Sequence, residues 1–140
     1  MARTRRRTQD PPPQRLILDS GAVIALSRND LRARATLAAA REVGVEVSIP
    51  SVVIAETVRG SAKDAKVNRV IKSIGEVTAA DEDTGRTAGA VLGAARSTST
   101  IDAVVVASAI ELGGGVVLTG DPDDLKPLAE GHPEVVIRAL

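Results

Sequence analysis

The chain has 140 residues, enough for one domain with a sizeable core, and its 44% hydrophobic and 26% charged residues are typical of a globular protein. It contains no cysteine, which excludes a disulfide scaffold, a thiol nucleophile and a cysteine-ligated metal site. The single histidine, His132, excludes a two-histidine nuclease and a multi-histidine zinc site. Phe, Tyr and Trp are absent, so nucleic acid cannot be held by aromatic stacking.

The net charge is zero, but positive charge is concentrated at the amino terminus. Residues 1–15 carry five Arg and one Asp, whereas the other 125 residues carry 13 basic and 17 acidic side chains. Residues 1–14 combine the basic run with three consecutive prolines, and we predict a disordered arm. The arm either contacts RNA phosphates or is a tail without a function. No apolar run is typical of a membrane span or a secretory signal, so we expect a cytoplasmic protein.

From Arg15 onward, short apolar runs alternate with segments of helical periodicity. In chain order, we predict a strand (16–18), helices (22–27 and 31–43), a strand (45–49), helices (52–59 and 63–73), a strand around Val77, helices (81–95 and 102–112), a strand (116–119), a helix (122–128) and a strand (135–137). This alternation indicates a three-layer α/β domain over residues 15–140, with a central, mainly parallel sheet flanked by helices.

Parallel sheets bind ligands outside the carboxyl ends of their strands, and acidic residues lie at such positions here. Asp19 follows the first strand, and Asp121 and Asp124 follow the strand at 116–119. Glu56 and Asp102 belong to strongly apolar helical stretches, where an unpaired carboxylate is costly. These five side chains are the candidate site residues.

Each candidate also has an ordinary structural interpretation. Asp102 and Asp121 are suitable helix N-caps, Asp124 and its neighbour Asp123 suit a first helical turn, and Glu56 can face solvent. Together, however, several converging carboxylates would repel one another unless a divalent cation were bound. Oxygen ligands without His or Cys favour magnesium or manganese. Such an ion polarises a phosphoryl oxygen and activates water, which points to phosphodiester hydrolysis.

Four segments in order resemble the PIN-domain ribonucleases, specifically the VapC toxins of VapBC toxin–antitoxin pairs. They are Leu16-Ile17-Leu18-Asp19-Ser20, Pro50-Ser51-Val52-Val53-Ile54-Ala55-Glu56, the run from Ile101-Asp102 to Ala109, and the run from Val117 to Leu125 that contains Thr119-Gly120-Asp121. The resemblance extends from about Leu16 to Leu128. No single segment is specific, but four in this order are fairly specific.

The resemblance implies particular roles. Asp19, Glu56, Asp102 and Asp121 match the acidic quartet of the family, with Asp19 and Asp102 as the firmest metal ligands and Glu56 acting directly or through a water. Asp124 matches a further acidic position that varies. Ser20 and Thr119 match small hydroxyl residues, which either bind a phosphate or a metal-bound water, or serve only in capping and packing.

The implied activity is Mg²⁺- or Mn²⁺-dependent cleavage of RNA that leaves a 5′-phosphate, by a homodimer controlled by a tightly bound VapB-like antitoxin. One alternative is a catalytically silent PIN-like binding or regulatory module. Another is a phospho-acceptor receiver domain, which the absence of an acid next to Asp19 disfavours.

A basic stripe is a further candidate for RNA contact. Arg59, Lys63 and Lys66 would share one helical face if the helix continued through Gly60, and the stripe would lead away from Glu56. The ordinary alternative is a solvated helix face.

Overall fold

The computed structural model describes residues 14–140. Its strands are β1 (Arg15–Leu18), β2 (Glu46–Pro50), β3 (Val77–Thr78), β4 (Gly115–Thr119) and β5 (Val135–Ala139). Within this range they form one sheet in the order β3-β2-β1-β4-β5, and every strand pair is parallel. The predicted parallel α/β fold is therefore confirmed, without an antiparallel strand among the described residues.

The helices are α1 (Ser20–Ser27), α2 (Leu31–Glu42), α3 (Ser51–Thr57), α4 (Ala65–Ile74), α5 (Glu82–Ala95), α6 (Thr100–Glu111) and α7 (Pro122–Ala129), with a 3₁₀ turn at Ala62–Asp64. Helices α1, α2 and α4 pack together as one group, and α5, α6 and α7 pack together as another. The sheet lies between these groups, which gives the three predicted layers.

The core consists of aliphatic side chains, as the composition requires. The central strand β1 is buried from Leu16 to Leu18, and it pairs on both sides. Helix α6 lies deepest among the helices, since its buried residues are Ala103, Val105, Val106, Ala107, Ser108 and Ala109. Strand β1 thus has β2 on one side and β4 on the other. In open α/β sheets, such a central strand creates a crevice at its carboxyl end, and ligands bind there.

Most boundaries differ from the sequence prediction by one or two residues, and two of these differences affect the candidate residues. Helix α6 begins at Thr100, after Ser99, so Asp102 lies in the first turn and is not the N-cap. Helix α3 ends at Thr57, and Gly60 has φ +81°, a left-handed conformation that ends helical geometry. The idea that Arg59, Lys63 and Lys66 share one continuous helical face is therefore wrong.

Of the predicted N-terminal arm, only Gln14 falls within the described residues; its carbonyl accepts a hydrogen bond of 3.3 Å from the N–H of Glu46. Residues 1–13 lie outside them, so the prediction of a disordered arm stays a prediction. Over residues 14–140, no single helix is long and apolar enough to cross a membrane, although α5 and α6, bent by 117°, reach that length and composition as a pair.

Candidate active site

Asp19 is held rigidly at the carboxyl end of β1. It is the N-cap of α1, and its Oδ1 accepts a 2.8 Å hydrogen bond from the N–H of Ser20. Its Oδ2 accepts a 2.8 Å hydrogen bond from the hydroxyl of Thr119, the last residue of β4. The side chain is only 4% exposed. Both oxygens thus have a partner, which fixes the direction in which the remaining lone pairs point.

The loop after β4 is joined to the same point. The Thr119 hydroxyl, while donating to Asp19, accepts a 3.0 Å hydrogen bond from the N–H of Asp121. Gly21 allows the two loops to approach closely, because a Cβ there would lie 2.8 Å from the backbone N of Gly120. The acidic residues that follow β1 and β4 are therefore held next to each other by backbone contact.

Glu56 and Asp102 extend the acidic cluster from two helices. Burial raises the pKa of Asp102, and the negative charges of Asp19, Asp124 and Asp121 raise it further. Burial likewise raises the pKa of Glu56, with added repulsion from Asp19 and Asp102. The structure thus brings the five predicted side chains together around Glu56 and Asp102, whose pKa values the neighbouring charges help to raise. We call this group the acidic cluster (Asp19, Glu56, Asp102, Asp121 and Asp124).

One oxygen of the acidic cluster has an unusual environment. The Oε1 atom of Glu56 is buried and has no hydrogen-bond partner among the described residues. A buried acceptor without a partner is costly, so a ligand or water that donated to it would be bound favourably. Glu56 as a whole is half-buried, so only part of its side chain faces solvent, whereas Asp123 is exposed in the first turn of α7 as predicted.

The donor set fits a hard divalent cation, although the side chains do not yet surround one. Within residues 14–140, no three acidic or histidine side chains are arranged to hold a metal ion as they stand. All donors are carboxylate oxygens, the chemistry that magnesium and manganese prefer. A cation among them would remove the repulsion that raises the pKa of both Glu56 and Asp102.

A further buried carboxylate, that of Asp64, was missed by the sequence analysis. Asp64 is buried, and its two oxygens accept hydrogen bonds of 2.7–3.1 Å from the N–H groups of Arg59, Gly60 and Ser61. The available signal was Ser61 followed three residues later by an acidic residue, which is a variant of the capping box. We call residues 58–61 the Arg59 loop.

Comparison with known proteins agrees with this architecture. The family model for the PIN domain matches residues 16–130. No curated protein sequence matches the chain at a significant level. Among solved structures, VapBC2 from Rickettsia felis bound to a DNA fragment from their promoter aligns with a TM-score of 0.71 at 12% identity, covering 89% of this chain and 98% of that one.

Two further structures are similar. A toxin–antitoxin complex from Klebsiella pneumoniae has a TM-score of 0.67 at 20% identity, covering 86% of this chain and 95% of that one. DNA-bound VapBC from Salmonella typhimurium has a TM-score of 0.62 at 18% identity, covering 90% of this chain and 98% of that one. At these identities the likeness establishes a shared fold.

Proposed function

Because the chain belongs to the PIN-domain family, we propose that it is a metal-dependent endoribonuclease and the toxin of a toxin–antitoxin pair. The observation that carries this proposal is the acidic cluster at the carboxyl ends of β1 and β4. There, burial and neighbouring charges raise the pKa of Glu56 and Asp102, and one buried oxygen of Glu56 has no partner among the described residues. A fold that needed these side chains only for stability would satisfy them internally.

Each residue of the acidic cluster would have its own role in such a site. Asp19, Asp102 and Asp121 would hold a magnesium or manganese ion, with Glu56 bound directly or through water and Asp124 at the rim. Bound there, the ion would supply charge for a phosphoryl oxygen and lower the pKa of a water. The Thr119 hydroxyl keeps Asp19 in one orientation. The buried Oε1 of Glu56 can accept a hydrogen bond from the attacking water.

The proposed partner is a VapB-like antitoxin, since the similar structures from Rickettsia felis and Salmonella typhimurium are VapBC complexes. A groove of about 250 Å³ between α1, α2 and α4 has an apolar floor that includes Leu37 and Val70, and a basic rim of Arg34, Lys66 and Arg69. An amphipathic, acidic antitoxin segment would complement it. Leu26, near the end of α1, also lines this groove, whereas Ala22 and Val23 are buried in the core.

The antitoxin would also neutralise the negative charge of the acidic cluster. A guanidinium bonds carboxylates through two parallel hydrogen bonds, so an antitoxin Arg inserted there would compete with the metal. The homodimer implied by the family resemblance and the cytoplasmic location expected from the sequence remain predictions, and sedimentation of the purified protein tests the former.

The deciding experiment is cleavage of RNA by the purified protein with Mn²⁺ or Mg²⁺. We expect products with 5′-phosphate ends and no cleavage in chelator. Asp102→Asn should reduce the rate about a thousandfold, because the charge that a metal supplies to a transition state is worth several kcal/mol. Asp123→Asn is the matched control, because Asp123 is an exposed acidic residue in the first turn of α7 and lies outside the acidic cluster.

A protein that binds a VapB-like partner but cleaves no RNA with either metal would instead be the catalytically silent module. Equal rates for Asp102→Asn and the wild type would show that any observed cleavage does not come from the acidic cluster.

A further inference from the structure

The Arg59 loop is held in place by a single buried carboxylate. Asp64 receives hydrogen bonds from three successive backbone N–H groups, those of Arg59, Gly60 and Ser61. Gly60 adopts φ +81°, which an L-residue rarely tolerates. The carboxylate of Asp64 is thus hydrogen-bonded to backbone groups, and it forms no salt bridge with the guanidinium of Arg59, although the charge of Arg59 also helps to lower its pKa.

The guanidinium of Arg59 is anchored on one nitrogen only. Its Nη1 donates hydrogen bonds to the carbonyls of Ala55 (3.0 Å) and Val58 (3.1 Å) at the end of α3. Its Nε and Nη2 have no partner within residues 14–140, and no acidic side chain in that range forms an ion pair with it. An anchored cation with two unused donors therefore lies three residues after Glu56, beside the acidic cluster.

We propose that Arg59 binds an RNA phosphate flanking the one that is cleaved, and that Asp64 is the positioning residue that holds the Arg59 loop for this contact. The proposal rests on the ribonuclease function and names how the substrate is held. The acidic cluster repels a polyanion wherever the metal does not neutralise it. A nearby guanidinium that carries no carboxylate partner offsets that repulsion.

The chemistry of the unused donors fits a phosphodiester. Nε–H and one Nη–H of a guanidinium point in parallel from the same edge, which matches two oxygens of a phosphate. Since Nη1 is already bound to the helix end, this edge is directed before substrate arrives, and little side-chain entropy remains to be lost. Lysine in the same place would supply charge without the paired donors.

The test compares Arg59→Gln and Arg59→Lys with Arg32→Gln, an exposed arginine on α2 that serves as the matched control. Binding of a fluorescent six-nucleotide RNA is measured by anisotropy with Ca²⁺, apart from cleavage. We expect Arg59→Gln to weaken RNA binding about tenfold, Arg59→Lys to recover part of it, and Arg32→Gln to change it less than twofold. With Mn²⁺, the KM should rise by the same factor while kcat stays within about twofold.

A second RNA of the same sequence identifies the contact. It carries uncharged methylphosphonate linkages on both sides of the cleaved bond. If Arg59 binds a flanking phosphate, the wild type and Arg59→Gln should bind this RNA equally well. An unchanged tenfold difference on the neutral-flanked RNA would overturn the proposal, as would equal binding of the natural RNA by all variants.

Asp64→Asn tests the positioning role. It should raise the KM as Arg59→Gln does, and the double variant should be no worse than Arg59→Gln alone, since both changes remove one contact. Additive losses in KM would show that Asp64 does not act through Arg59, and would overturn its positioning role. A wild type that binds RNA with these ratios but does not cleave it would refute the ribonuclease function and leave the Arg59 contact standing.

Discussion

The carboxylate of Asp64 and the carboxylates of the acidic cluster lie in opposite electrostatic environments. Asp64 is buried, yet the N–H of Arg59, with those of Gly60 and Ser61, lowers its pKa below the ordinary value. In the acidic cluster, burial and neighbouring charges raise the pKa of Glu56 and Asp102. Backbone groups of the protein satisfy the carboxylate of Asp64, whereas the acidic cluster requires a ligand that the chain does not contain.

The direction of the pKa shift distinguishes a structural carboxylate from a functional one better than the extent of burial does. A carboxylate surrounded by backbone donors stabilises the fold that supplies them. Carboxylates that repel one another lower the stability of the fold and persist only where another demand maintains them. Asp19 combines both situations, since it is fully hydrogen-bonded and also adds repulsion to Glu56 and Asp102.

Adding divalent metal should have the largest effect on Tm, and this effect should depend on the acidic cluster. At about 100 times its dissociation constant, a metal bound only by the folded protein adds roughly 2.7 kcal/mol, a rise in Tm of roughly 10 °C. Circular dichroism is the suitable measurement because the chain lacks aromatic residues. Asp102→Asn should lose most of this rise and Asp123→Asn should keep it. The same rise in Asp102→Asn would place the ion elsewhere.

Asp64→Asn tests the carboxylate that stabilises the fold. The amide offers one acceptor oxygen where two serve now, so we expect Tm in chelator to fall by about 5 °C at pH 7. Because the folded pKa lies below 3.8, the stability that this carboxylate gives is fully present above that pH and is lost as pH falls through the folded value. The difference in Tm should therefore shrink in acid. Asp83→Asn, exposed in the first turn of α5, is the control.

Asp102→Asn in chelator tests the acidic cluster, and the expected change in Tm has the opposite sign. Removing one repelling charge should raise Tm at pH 7 by about 1–2 °C, a small effect because solvent screens a half-exposed group. Since the folded pKa of Asp102 lies above 3.8, the cost of its charge is present at neutral pH and disappears as pH falls below the ordinary value. Wild type and variant should then melt together in acid. A variant less stable than wild type at pH 7 would contradict the assignment.

Much of this arrangement is predictable because it depends on local pattern. Apolar runs that end at Asp19 and before Asp121 indicate parallel strands, and the carboxyl ends of neighbouring strands must meet at one edge. The strand and helix boundaries depend on finer detail. The polar stretch before Asp102 resembles a loop, yet α6 already begins at Thr100.

What could not be predicted depends on tertiary contacts. Nothing local indicates that Oε1 of Glu56 lacks a partner, since this results from packing of separate elements. The basic stripe through Arg59 was misjudged because helical spacing was carried across Gly60. The role of Asp64 required knowing that three N–H groups converge on it, which a capping pattern alone does not reveal.

The hydrogen bond between Thr119 and Asp19 joins residues 100 positions apart. Strand β1 is synthesised before β4, so the two cannot pair until the residues between them have been made, and such non-local contacts form slowly. A nascent chain that stops before Thr119 has no partner for Oδ2 of Asp19 and no Asp121. The ribosome therefore carries an incomplete site while the residues between β1 and β4 are being added, and this interval delays the appearance of any activity.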